Sequence, residues 1–263
     1  MKVKGLIIDL DGCVYIGDQV VRGVPEALEN LSKLDVKILY LTNNSSKNAH
    51  EYSEKLRKMG IKAEAKDILT SAEATACYMA EKFKAGRRVF LIGSKSFKAE
   101  LEKRGFLVVD SSDVDYVVLG IDSDFDYAKL TKACRAIVKG AKFIASNLDA
   151  TIPSPDGILP GAGSLASAIT KATGVKPIVV GKPSKRIILE ALKRLNVKRE
   201  EAAIVGDRLE TDIKAGKSAG ICTILVLTGV TDPAKLLEVD EKLQPDLTID
   251  SLASIRKALE LIG

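Results

Sequence analysis

Asp9 and Asp11 close an apolar run over residues 3–8 and stand two positions apart. In an extended chain such residues point to the same side. The run reads as a strand buried on both faces, so the pair predicts two carboxylates together at its carboxyl mouth, with Gly12 turning the chain. Like charges this close repel unless a cation, a shared proton or hydrogen bonds compensate. A capping Asp and a turn Asp would account comfortably for one of the two, not for both. A calcium loop of the EF-hand type fails on spacing, because Gly12 falls too early and no Glu closes the loop.

Two more polar clusters follow buried-type runs. Residues 36–41 lead into Thr42, Asn43, Asn44, Ser45 and Ser46. These residues suit a loop and a helix cap, and equally an anion site of hydroxyls and backbone N–H groups at a helix N-terminus. Residues 202–205 lead into Gly206 and Asp207, with Thr211 and Asp212 in the same short loop. Lys182 sits between Gly181 and Pro183 after a run at 178–180, where a lysine has little packing role. Sites in open parallel sheets form at the carboxyl ends of strands, and polar clusters at three strand mouths are hard to dismiss as turns. Two other glycine patterns carry nothing. The 161–166 stretch follows a proline-rich loop rather than a strand, which excludes a dinucleotide site, and Gly93-Ser-Lys-Ser lacks the upstream glycine of a P-loop.

The elements that must position these residues alternate along the chain. Helical spacing covers 24–34, 48–59, 68–83, 97–103, 127–139, 185–195 and 251–261. Strand-like runs lie at 89–92, 107–109, 114–119, 143–145, 224–227 and 247–249, and 14–21 reads as a hairpin flap beside the first carboxylates. Thr70 and Glu73 are spaced as a capping box. The alternation predicts an α/β protein in which a middle unit of roughly ninety residues, ending in a turn-rich stretch from Asn147 to Gly163, separates two parts of a parallel sheet. The 263 residues are 46% hydrophobic and 29% charged, enough for a well-buried core under a charged surface. A net charge of +5 spread over mixed Lys/Glu helices is no nucleic-acid footprint. No leader and no membrane-length apolar stretch is visible. Four scattered cysteines suit the cytoplasm and argue against zinc. The single histidine, His50, reads as a surface residue. The chemistry therefore falls to carboxylates, hydroxyls and lysine.

Motif by motif, the chain resembles the haloacid dehalogenase superfamily of phosphatases. Asp9-Leu-Asp11-Gly12 is similar to its first motif, Thr42-Asn43 to its second, Lys182 to its third, and Gly206-Asp207 with Asp212 to its fourth. Asp-Gly-Cys-Val-Tyr, Leu-Thr-Asn-Asn-Ser, Gly-Lys-Pro-Ser and Asn147-Leu-Asp-Ala-Thr resemble the 4-nitrophenylphosphatase and phosphoglycolate phosphatase branch, as does Pro155-Asp-Gly-Ile-Leu-Pro-Gly. The resemblance implies a doubly wound, Rossmann-like core of residues 1–83 and 178–263, with an inserted α/β cap at 84–177. It implies a small phosphorylated metabolite as substrate, Mg²⁺ as cofactor and a homodimer through the cap. Asp9 would be the nucleophile and Asp11 the general acid and base. Asp9, Asp11 through its carbonyl and Asp207 would hold Mg²⁺, with Asp212 ligating it or acting through water. Gly12, Thr42, Asn43, Asn44 and Lys182 would hold the phosphoryl group. Candidate substrate contacts in the cap are Asn147, Asp149 and the 153–163 loop, and Arg208 is expected to pair with Glu210 or Asp212. A phospho-acceptor switch or a phosphomutase would use much of the same set.

Overall fold

The computed structural model describes residues 3–154, 157–237 and 239–262. The chain forms two compact units: Met1–Thr42, Ala49–Leu69 and Lys182–Gly263 make the first, Asn43–Asn48 and Thr70–Gly181 the second. The expected cuts at 83/84 and 177/178 are thus displaced. The helix Ser71–Lys82 and the strand Ile178–Val179 group with the second unit.

The first unit is built on a six-stranded sheet in the order Leu247–Ile249, Cys222–Val226, Ala202–Gly206, Gly5–Asp9, Lys37–Thr42, Ile68–Thr70. The described pairings around Gly5–Asp9 are parallel, with Ile8 beside both Val205 and Tyr40 and Asp9 beside Leu41. All five residues of Gly5–Asp9 are buried, as a parallel strand covered on both faces requires. Leu6 and Ile8 pack with Val24, Leu28, Leu31 and Ile255 from the helices Val24–Leu31 and Ile255–Ile262. The helix Lys185–Leu195 buries Ile187, Ile188, Ala191, Leu192 and Leu195 at helical spacing. Ser184 caps it by accepting from the Arg186 N–H, and Asn196 ends it in the left-handed region at φ 51°. Each fully buried Ile or Leu contributes about 1.5–3 kcal/mol, which fixes the helix and so the lysine just ahead of it. The chain runs from Gly5–Asp9 outward to Ile68–Thr70 and later returns to Ala202–Gly206 on the other side, which puts the switch point of a doubly wound sheet between Gly5–Asp9 and Ala202–Gly206.

The second unit has its own parallel sheet, ordered Ile178–Val179, Lys142–Ala145, Tyr116–Leu119, Arg88–Ile92, Leu107–Val108. Its separate core joins Phe90, Val117, Leu119, Ala133, Phe143 and Ile169. The stretch expected to be a loop at 153–163 is instead an antiparallel hairpin, Thr151–Ser154 with Gly157–Pro160. Pro155 and Asp156, part of the quoted motif, lie outside the described residues. The helix expected from residue 68 starts at Ser71, with Thr70 accepting from the Glu73 N–H, because Ile68–Thr70 joins the sheet edge. Among the described residues no helix is long and apolar enough to cross a membrane, and His50 is exposed.

Candidate active site

Asp9 ends its strand, Thr42 ends the neighbouring one, and Asp207 follows Gly206 at the end of the strand on the other side. Lys182 stands just ahead of the helix Lys185–Leu195, and Asp212 lies on the π-helical turn Leu209–Ile213. π turns are rare and concentrate at functional sites.

These elements bring a lysine and three carboxylates together. Lys182, 2% exposed, places its Nζ 2.7 Å from Asp9 Oδ1 and 2.6 Å from Asp212 Oδ1. The second oxygen of Asp212 accepts from the Arg208 N–H at 3.2 Å and the Thr211 hydroxyl at 3.2 Å, so both its oxygens are engaged. Asp207 Oδ2 accepts from the Val230 N–H at 2.9 Å, whereas Oδ1 is buried without a hydrogen-bond partner among the described residues. Ligand atoms of Asp9, Cys13 and Asp207 lie within 4.8 Å of one another.

Charge follows from this geometry. Burial, reinforced by Asp212 and Asp207 and opposed by Lys182, holds the Asp9 carboxyl well above the ordinary range. Burial and the neighbouring Asp212 push Asp207 up to about 6. Burial pulls Lys182 down, but Asp212 and Asp9 outweigh it and leave the ammonium more basic than usual. Asp11, exposed at the mouth, is raised by partial loss of hydration while Lys55 and Arg208 pull the other way. The Cys13 thiol is driven upward by burial and the adjacent carboxylates, which keeps it protonated and a poor ligand. A buried orphan oxygen beside crowded carboxylates fits a hard divalent cation, for which Asp9 and Asp207 are the available oxygen donors.

Close backbone approaches fix the carboxylates at Gly12 and Gly206, which the sequence reading named, and at Gly229, which it did not. Gly12 has φ 81°, and a Cβ there would come 2.4 Å from Asp207 Oδ2. A Cβ on Gly229 would approach the same oxygen to 2.0 Å, and one on Gly206 would strike Asp212. The loop beyond Cys222–Val226 clasps the site: Thr228 donates to the Gly12 carbonyl at 2.6 Å and Thr231 to the Asp207 carbonyl at 2.5 Å. Tyr52 hydrogen-bonds the Thr42 side chain. The readable signal was a fourth buried strand ending in Thr-Gly.

The side chains of the other expected residues are engaged as follows. Asn43 and Asn44 belong to the second unit. The Asn43 side-chain amide donates to both oxygens of Asp149, at 3.1 and 3.3 Å, and its carbonyl accepts from Ser71 and Asn147. Asn44 accepts from the Ser46 N–H and hydroxyl. Asn147, 1% exposed, is thus a buried strut. Arg208 makes no ion pair with Glu210 or Asp212 among the described residues. Only its backbone N–H reaches Asp212, and its guanidinium lowers the Asp11 and Asp207 carboxyls instead.

A doubly wound sheet with carboxylates and a buried lysine at its switch point suits phosphoryl transfer, and comparison with known proteins supplies the family. Residues 6–107 match the model of the haloacid dehalogenase-like hydrolases and 179–255 that of the HAD-like hydrolases. The chain belongs to the haloacid dehalogenase-like hydrolase family. It is 39% identical over 258 residues, 98% of each chain, to the acid sugar phosphatase of Staphylococcus saprophyticus. Among solved structures it resembles the p-nitrophenyl phosphatase of Archaeoglobus fulgidus, with TM-score 0.91 and 35% identity over 98% of this chain and 100% of that one. It also resembles the glycerol phosphate phosphatase of Mycobacterium tuberculosis in complex with magnesium, with TM-score 0.92 and 34% identity over 100% of this chain and 79% of that one. The chain is a phosphoric monoester hydrolase.

Proposed function

We propose that the chain is a Mg²⁺-dependent phosphatase that moves the phosphoryl group of a small monoester first to Asp9 and then to water. The observation that carries this reading is Lys182 bound to Asp9 and Asp212 beside the unpartnered Oδ1 of Asp207. The ion pair engages one oxygen of Asp9 and favours its ionised form against burial. That carboxylate attacks phosphorus as the bond to the leaving oxygen breaks, and Asp11 gives that oxygen its proton. Water then attacks the aspartyl-phosphate, Asp11 takes the water's proton, and phosphate leaves Asp9. Thr42 and Lys182 hold phosphoryl oxygens whose charge grows in the transition state. Asp9, the Asp11 carbonyl and Asp207 hold Mg²⁺, which offsets the charge of phosphoryl group and carboxylates together. Asp212, both oxygens occupied, serves by fixing Lys182. We assign the second unit the selection of substrate. Relatives that carry the names of sugar, glycerol and nitrophenyl phosphates support a small monoester.

The test is phosphate release from 4-nitrophenyl phosphate with Mg²⁺ and with EDTA. Turnover is expected with Mg²⁺ alone and falls in Asp11→Asn, whose aspartyl-phosphate has lost the base for its hydrolysis. A wild type that releases no phosphate yet forms a stable Mg²⁺-dependent phosphoprotein with acetyl phosphate would make the chain a switch.

A further inference from the structure

Lys55 lies on the helix Ala49–Lys58, outside every motif quoted above, yet its ammonium has three partners on one small element. It donates to the Gly17 carbonyl at 2.7 Å, stands 3.4 Å from Asp18 Oδ1, and sits over the Tyr15 ring, 3.9 Å from the centroid. All three belong to the hairpin of Tyr15–Ile16 and Gln19–Val20 and its turn. The ion pair to Asp18, whose side chain is 99% exposed, is worth little by itself. The ring and carbonyl contacts matter more, since Tyr15 is buried and the Lys55 side chain only 24% exposed.

What the hairpin carries is Asp11. The Gly12 N–H donates to the Tyr15 carbonyl at 2.8 Å, Asp11 bridges to Tyr15, and the Val14 and Tyr15 N–H groups converge on the Leu10 carbonyl at 2.9 and 3.3 Å. Residues 10–15 thus form one tight coil closed by its own backbone hydrogen bonds, from which the Asp11 side chain projects at the exposed mouth. One turn before Lys55 on the same helix face, Tyr52 bonds Thr42. A single helix therefore grips Thr42 with one side chain and the Asp11 coil with another.

We propose that Lys55 is a positioning residue for hydrolysis, which clamps the 15–20 hairpin to its helix through Tyr15 and Gly17 and so fixes where Asp11 meets the leaving oxygen. The inference rests on the reading of Asp11 as general acid. It separates two esters by their leaving groups. Glycerol phosphate expels an alkoxide that needs Asp11's proton, whereas 4-nitrophenyl phosphate expels a phenolate stable without it. A lysine that merely stabilised the fold would affect both alike.

The experiment compares kcat/KM for the two esters in wild type, Asp11→Asn, Lys55→Met and Lys55→Arg. General acids contribute about 10²–10⁴-fold. Misplacing this one in Lys55→Met is therefore expected to lower kcat/KM for glycerol phosphate by at least about tenfold. For 4-nitrophenyl phosphate the expected loss is under about threefold, because the general acid adds little to so good a leaving group. Lys55→Arg keeps the charge over the ring and is expected to restore most of the loss. Equal losses on the two esters, or no rescue by arginine, would overturn the proposal. Wild-type turnover of both esters with no leaving-group dependence in Asp11→Asn would instead overturn the reading of Asp11, and the inference with it.

Discussion

At the scale of single residues, the site is a problem of charge in which one ammonium serves several carboxylates. Lys182 meets Asp9 and Asp212, leaving Asp207 with an oxygen that no group among the described residues satisfies. Taking charges out of water costs several kcal/mol per ion, so the metal-free protein keeps Asp207 partly protonated, its pKa pushed up to about 6 from 3.8. Between about 4 and about 6 the native state thus holds a proton that the unfolded chain has released. Raising the pH through that window lowers the stability of the metal-free protein. A divalent cation reverses the balance by binding the ionised form and expelling the proton. Apparent Mg²⁺ affinity is therefore expected to fall as pH drops through about 6, approaching tenfold per unit below it. Titration calorimetry at pH 5, 6, 7 and 8 checks this. An affinity flat across the series would remove Asp207 from the cation site.

At the scale of elements, side chains hold their places because neighbouring backbone comes unusually close. Gly229 illustrates this: a Cβ there would lie 2.0 Å from Asp207 Oδ2 and 2.4 Å from its Cβ. Nothing so near can be absorbed, and Asp207 cannot swing away while Val230 and Thr231 grip it. Gly229→Ala is expected to lower kcat at least about 10²-fold, the scale of a small misplacement in an active site. Mg²⁺ affinity should fall with it and the circular dichroism spectrum should persist. Wild-type kcat and Mg²⁺ affinity together would show that the loop has no hold on Asp207. This clasp left only a faint trace in the sequence, a buried run leading into Thr228 and Gly229, since the residues after Leu227 include no carboxylate until Asp232. The strands bearing Asp9, Thr42 and Asp207 were legible because full burial leaves an unbroken apolar run. Ile68–Thr70 and Ile178–Val179 were not assigned to their sheets, because two or three residues are too few to set a period. The π turn at Leu209–Ile213 was likewise unreadable: five residues set no apolar period, and the widened turn places Asp212 at Lys182. For Asn43, residue type suggested an anion ligand, but only tertiary structure could show its amide donating to Asp149.

At the scale of the whole molecule, the two units have separate hydrophobic cores. Chains with more than one core commonly depart from two-state unfolding. The oxygen donors proposed for Mg²⁺ lie in the first unit, at the ends of Gly5–Asp9 and Ala202–Gly206. A ligand that binds only the native state stabilises what must unfold to release it, by about 2.7 kcal/mol at one hundred times its Kd. Hydrogen exchange resolves where that free energy is felt. With Mg²⁺ at that excess, amides of Leu6, Ile7, Ile8, Ile204 and Val205, paired in the first sheet, are expected to gain protection approaching 100-fold where exchange proceeds by unfolding of the unit. Amides of Phe90, Val117 and Phe143 belong to the second core and should change little. Equal gains in both sets would mean that the two units unfold as one. A gain confined to the second set would place the cation outside the carboxylate cluster.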